Sequence, residues 1–270
     1  MKLSIITVNL NNIEGLKNTI QSIINQNYTD FEWIVIDGGS TDGSKDLIMS
    51  YSDRINYWVS EKDTGIYNAM NKGIAHANGE YLQFLNSGDY FCDSSVLMDV
   101  MTELKSDEIV YGDFYYTNGD TTEARQFGEH ISFYDTLKYS IGHGGSFIPR
   151  QLLLQFPYDE TLKITSDWMF FIKVLLQSYP FRHINRFIYY FDCQGISSTN
   201  QQLVASEKDM VINKLLPPSI LYDYQKTSND NEIINMIQKH ILYRSFINAS
   251  MVYMRFYERT SMAIKKLLHK

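Results

Sequence analysis

Residues 31–43 read FEWIVIDGGSTDG, an apolar run followed by an acid and a cluster of turn residues. An apolar run of this length without alternation is the pattern of a strand buried on both faces. The Gly, Ser and Asp that follow mark the loop that leaves it. The pattern repeats on either side. Residues 3–8 are a β-branched apolar run broken by the polar stretch 9–12. Residues 55–59 form a third such run. Residues 81–85 form a fourth, which ends in Asn86-Ser87-Gly88-Asp89. Between the runs, Leu16, Ile20, Ile23 and Ile24 recur at helical spacing, and residues 45–51 and 67–77 also read as helices.

Strand and helix therefore alternate, and the strands are apolar throughout. This predicts an α/β fold with a mostly parallel, Rossmann-like sheet and helices on both faces. Such sheets bind ligands beyond the carboxyl ends of their strands, and Asn9, Asp37 and Asp89 all fall at such ends. Farther along, residues 109–116 read as a strand and Asn118-Gly119-Asp120 as a hairpin turn. Residues 142–145 form a loop carrying His143. Residues 167–177 read as a helix with Asp167 in its first turn, and 181–191 as an extended aromatic segment. Beyond residue 201 the pattern turns helical.

The 270 residues suffice for one large domain with a small appended piece. The division expected is 1–200 for the main domain and 201–270 for a helical C-terminal extension. A formal net charge of −7 argues against nucleic acid as a partner. Two cysteines, Cys92 and Cys193, fit a reduced, cytoplasmic protein better than a disulfide framework. The first apolar run is too short for a signal-peptide core, and no stretch is long enough to span a bilayer. From Lys239 to Lys270 there are seven Lys or Arg and one acid, Glu258. Aromatic residues interleave with those arginines, so two readings stand. One packs helices on the catalytic domain. The other, better suited to residues 255–270, is a peripheral contact with anionic membrane at the inner face of the cell.

Four stretches carry a family resemblance: LSIITVNLNN (3–12), IVIDGGSTDGS (34–44), SEKDTGIYNAMNKGIAHANGEYLQFLNSGD (60–89) and TSDWMFF (165–171). In that order and spacing the chain resembles family 2 glycosyltransferases of the GT-A fold, of the bacterial surface-polysaccharide, colanic-acid type. The resemblance implies an inverting, metal-dependent transferase. Its donor would be a nucleotide sugar, with UDP the default, and its acceptor a glycan or lipid-linked oligosaccharide. It implies that Thr7 and Asn9 line the nucleotide pocket and that Asp37 contacts uracil or ribose. Asp63, Asn68 and Lys72 fall on the donor side as well. Where family members carry an Arg near the Met70 position, Lys62 or Lys72 can substitute. Asn86, Ser87, Gly88 and Asp89 take the place of the Asp-rich metal motif, with Asp89 the retained ligand for Mn²⁺ or Mg²⁺. Asp167 matches the general base, with Trp168 and His143 on the acceptor side. The structural alternatives are that Asp89 and Asp167 are helix caps and Asp37 a turn former. Two further function classes are a non-catalytic sugar- or nucleotide-binding module descended from such enzymes, and a sugar nucleotidyltransferase. The second lacks its Gly-rich basic loop after the first strand.

Overall fold

The computed structural model of the protein describes residues 2–105 and 107–226. The basic segment 239–270, and with it the proposed membrane contact, lies outside the described residues. Two compact units divide the chain, Met1–Lys214 and Leu215–Lys270.

The first half runs β1 (Leu3–Asn9), α1 (Ile13–Ile24), β2 (Glu32–Asp37), α2 (Ser44–Ser50), β3 (Tyr57–Ser60), α3 (Ile66–His76) and β4 (Tyr81–Phe84). All six residues of β2 and all seven of β1 are buried, as the unbroken apolar runs require. The second half adds β5 (Tyr90–Phe91), α4 (Val96–Glu103), β6 (Ile109–Thr117), β7 (Thr122–Arg125) and α5 (Phe133–Lys138). A short 3₁₀ turn (His143–Gly145) leads into β8 (Ser146–Pro149) and α6 (Arg150–Gln155). Then come α7 (Ser166–Leu176), β9 (Phe181–Asp192), α8 (Ile196–Thr199), α9 (Gln201–Leu215) and α10 (Pro218–Lys226).

One sheet holds these strands in the order β3-β2-β1-β4-β8-β6-β9-β5, with β7 paired to β6. The β3-β2-β1-β4 half is parallel throughout, and β6 and β9 are also parallel to each other. β8 is antiparallel to both of its neighbours, so it joins the two parallel parts while keeping their direction. The Asn118-Gly119-Asp120 turn closes an antiparallel β6–β7 hairpin. The core lies on both faces of the sheet. Alternate residues of β1 supply it, with Leu3 and Ile5 facing one cluster and Ile6 and Val8 the other.

Register fixes the rim. Asn9 pairs with Asp37, and Asp37 with Ser60, so three polar residues end three neighbouring strands at one level. The Asn86–Asp89 turn follows β4 on the same rim, and Asp192 ends β9 there.

Close helix–sheet packing sets this geometry. In α3, a Cβ on Gly73 would lie 2.5 Å from Ile6 Cγ2 on β1. Alanine there gains up to about 1 kcal/mol of helix propensity, but overpacking of this kind costs about 1–3 kcal/mol. Gly73→Ala is therefore expected to lower stability by ~1 kcal/mol net, measured as a lower urea midpoint at unchanged m-value.

Candidate active site

The donor side is built from two loops laced together. Asp37 is 0% exposed. Its Oδ1 accepts from Asn9 Nδ2 (2.7 Å) and Ser40 Oγ (2.5 Å), and its Oδ2 from Ser40 N (3.0 Å) and Ser60 Oγ (2.6 Å). Burial alone would raise its pKa, but these hydrogen bonds outweigh burial and hold it below the usual 3.8. Both oxygens are thus taken by the protein. Asp37 shapes the loop and offers no free oxygen to a base or ribose, contrary to the expectation from sequence. Thr7 also departs from expectation. It is 0% exposed, and its Oγ1 accepts from Trp33 Nε1 at 3.1 Å within the core. Asn9 remains on the rim, with its Oδ1 buried and unbonded.

Around this loop, Lys72 Nζ binds Asp63 Oδ1 (2.5 Å) and Glu61 Oε1 (2.6 Å), and these bonds raise the lysine's pKa. Lys62 is exposed beside Gly39 and forms no ion pair among the described residues, so of the two lysines it is the one able to meet an anion. Met70 is a core residue of α3. Asn68 donates to Glu160 Oε2 at 2.9 Å, tying α3 to the loop before α7.

The turn after β4 is held from α1. Asn12 Nδ2 donates to the Ser87 carbonyl (3.0 Å), Gly88 N donates to Thr19 Oγ1 (3.1 Å), and Thr19 Oγ1 donates to the Asp89 carbonyl (2.7 Å). Asp89 is 4% exposed, and its Oδ1 accepts from the backbone N–H of Asp192 at 3.0 Å. Burial pushes its pKa up to about 7, opposed by the charge of His143 and that N–H and assisted by Asp192.

Four residues from separate parts of the chain form a hydrogen-bonded row. The Tyr67 hydroxyl donates to Asp167 Oδ1 (2.7 Å), with the Ile164 carbonyl beside it. Asp167 Oδ2 lies 3.1 Å from His143 Nδ1, and His143 Nε2 lies 3.0 Å from Asn86 Nδ2. Nδ1–H serves the carboxylate, and when the ring is neutral Nε2 accepts from the Asn86 amide. Asn86 Oδ1 is then buried without a partner.

The structure thus brings Asp167, His143 and Asn86 together, and adds Tyr67, which the sequence reading did not single out. Its signal was a phenol at a buried helical position within GIYNAMNKG. Trp168 does not face an acceptor, contrary to the expectation from sequence. It is 3% exposed, its Nε1 donates to the Thr136 carbonyl (2.6 Å), and Lys208 Nζ lies 4.9 Å over its ring. It has no open face for a sugar. Glu207 of α9 was also missed. Buried, it accepts from the N–H groups of Lys163, Ile164 and Thr165 and from Thr165 Oγ1, and so braces the loop that delivers Asp167.

The model of the family "Glycosyl transferase family 2" matches residues 4–175. An uncharacterized glycosyltransferase of Mycobacterium tuberculosis is 31% identical over 72% of this chain and 76% of its own length. A PGL/p-HBAD biosynthesis glycosyltransferase of Mycobacterium bovis BCG is 30% identical over 63% of this chain and 68% of its own. Among solved structures, Staphylococcus aureus TarS aligns with a TM-score of 0.61 at 20% identity, over 78% of this chain. The alignment spans only 42% of the TarS chain. The mannosyltransferase PcManGT of Pyrobaculum calidifontis, solved with GDP-Man and Mn²⁺, aligns with a TM-score of 0.58 at 17% identity, over 74% of this chain and 59% of its own. Those two structures share the fold, as the expected GT-A architecture requires. The chain belongs to glycosyl transferase family 2.

The row makes a pH prediction. For His143, burial lowers the pKa, but the Asp167 hydrogen bond and charge outweigh it, so the folded value is raised above 6.5. For Asp167, burial raises the pKa, but the His143 and Tyr67 bonds outweigh it, so the folded value is lowered below 3.8. The His143 contribution to stability is full below pH 6.5 and is lost as pH rises through the raised value. That of Asp167 is present above pH 3.8 and is lost as pH falls through the lowered value. The cost of Asp167→Asn is therefore expected to be greatest between pH 3.8 and 6.5, on the order of 3 kcal/mol, and to shrink above that window. Urea midpoints of the two proteins across pH 4–9 check it.

Proposed function

We propose that this member of glycosyl transferase family 2 moves a sugar from a nucleotide-sugar donor, a UDP-sugar first among candidates, onto a hydroxyl of a glycan acceptor. The transfer proceeds with inversion at the anomeric carbon. The observation that carries the reading is the Tyr67–Asp167–His143–Asn86 row, which joins a partly buried carboxylate to the turn expected to hold the diphosphate.

In this mechanism Asp167 is the general base. Tyr67 and His143 occupy one lone-pair site on each of its oxygens, and a carboxylate offers about four. Room therefore remains for the acceptor hydroxyl. Tyr67 stays protonated, since burial and Asp167 raise its pKa well above 10. Together Tyr67 and His143 fix the carboxylate's orientation and keep it ionised. The acceptor oxygen attacks the anomeric carbon from the face opposite the diphosphate, and Asp167 takes its proton as the hydroxyl acidifies. Lys62 on the rim is exposed and free to meet the nucleotide, and Asp63 lies beside it.

A divalent cation is implied by the fold family. Among the described residues no group of three His, Cys, Asp or Glu could hold one, so protein ligands alone do not complete a site. The donor set at the Asn86–Asp89 turn nevertheless suits a hard cation, with Asp89, Asp192 and the orphaned Asn86 Oδ1 all oxygen. Mn²⁺ or Mg²⁺ bound there would offset the charge that develops on the leaving diphosphate. The domain reading follows, with residues 1–200 as the donor-binding and catalytic domain and 201–270 as its helical extension.

We place the reaction in surface-polysaccharide synthesis, with a lipid-linked acceptor at the inner face of the membrane. The basic segment 239–270 supports this. No helix among the described residues is long and apolar enough to cross a membrane. Removing residues 255–270 is expected to leave turnover on a soluble acceptor intact and to reduce co-sedimentation with anionic vesicles; equal sedimentation of both forms would count against a membrane role.

The central experiment incubates the protein with Mn²⁺ or Mg²⁺ and a panel of UDP-, GDP- and dTDP-sugars, and follows release of free nucleoside diphosphate. One donor should be turned over and EDTA should stop the reaction. Asp167→Asn should lower turnover by about 10²–10⁴-fold, the usual share of general-base catalysis, while donor affinity stays unchanged. If no member of the panel binds, the proposal fails.

A further inference from the structure

Helix α9 lies beyond residues 4–175, the part of the chain that the family model matches, yet it reaches the base candidate. Glu207 is 4% exposed. Its carboxylate accepts from the N–H groups of Lys163, Ile164 and Thr165 and from the Thr165 hydroxyl at 2.6–3.1 Å. These residues lie just ahead of Asp167. Four bonds to one side chain fix α9 against that loop, so the next residue of the helix, Lys208, is held at a defined place. Its Nζ lies 4.9 Å over the ring of Trp168, the residue that follows the base. That ring is itself fixed, because its Nε1 donates to the Thr136 carbonyl.

Lys208 has a cation to satisfy and little to satisfy it with. It is partly buried, and burial lowers its pKa below the usual 10.5, opposed by the charge of Asp167. An ammonium carries three hydrogen-bond donors, but among the described residues Lys208 makes no hydrogen bond and no ion pair. Its contact is the face of an indole. Asp167 is bonded to Tyr67 and His143 instead. Lys214, on the same helix, shows the contrast. It is paired with Asp159 Oδ2 at 2.9 Å and so ties α9 to the chain ahead of α7. A lysine needed only to dock the helix would be spent in that way. Lys208 is instead kept unpaired beside the base. The donor diphosphate is expected at the Asn86 end of the row, with His143 between it and Asp167, so the anion that suits Lys208 comes from the acceptor.

We infer that Lys208 selects the acceptor, receiving a carboxylate or phosphate group carried by the same molecule whose hydroxyl meets Asp167. The inference rests on the glycosyl-transfer reading above and deepens it, from a glycan acceptor to an anionic one.

The experiment measures binding to the full chain, by ligand-observed NMR in the presence of UDP, of a matched set of soluble sugars. The set contains neutral methyl glycosides, the corresponding uronic acids, and the same sugars phosphorylated either on a ring substituent or at the anomeric oxygen. The uronic-acid arm separates carboxylate from phosphate. The two phosphate arms separate a substituent on the sugar from a phosphate at its reducing end. Wild type is expected to bind at least one charged class more tightly than its neutral parent. Lys208→Met keeps an unbranched chain over Trp168 without the charge, and should weaken that class by about 10–100-fold, the range for a lost charge-assisted hydrogen bond. Neutral sugars, UDP affinity and the thermal midpoint should stay as in wild type, and Lys208→Arg should retain the preference. If wild type shows no preference for any charged class, or if Lys208→Met keeps the preference or loses UDP affinity along with it, the assignment of Lys208 is overturned while the nucleotide-sugar reading stands. If wild type binds no nucleoside diphosphate at all, both fall.

Discussion

Asp167 carries its charge in a partly buried position, and the groups that sustain it are Tyr67 from α3 and His143 from the turn before β8. A buried carboxylate left without donors would neutralise or disrupt its surroundings. The hydrogen bonds of this row therefore constrain where α3, the 3₁₀ turn and α7 can sit relative to one another. Asn86 extends the same constraint to the end of β4. The base candidate and the turn expected to hold the diphosphate are consequently positioned by one set of bonds.

Around the row, much of the polar chemistry on the rim serves positioning. Asp37 binds the loop between β2 and α2 through four internal hydrogen bonds. Thr19 and Asn12 pin the turn after β4 from α1. Glu207 collects three N–H groups and a hydroxyl from the segment that enters α7. Such groups leave fewer free atoms for a ligand than the sequence suggests, and the free ones among the described residues become informative: Asn86 Oδ1, Lys62 and Lys208. A preorganised site of this kind loses little to reorganisation when substrate arrives.

The alternation of apolar strands and amphipathic helices, the turn residues that leave each strand, and the polar residues at the strand ends were all legible in the sequence. They depend on local periodicity and local backbone preference. The motif stretches identified Asp167 and the Asn86–Asp89 turn for the same reason, and His143 stood out as the one histidine of a Gly-rich loop. Which face a rim residue turns to was not legible. Thr7 follows the strand's alternation into the core behind Trp33, and Trp168 follows the buried face of α7 beneath Lys208. Nor could spacing reveal the bond between Tyr67 and Asp167, separated by 100 residues, or Asp192 lying over Gly88. Those contacts depend on how β8 and β9 close the sheet. Strand pairing at a distance is decided by the packing of the whole chain, not by the residues that flank each partner.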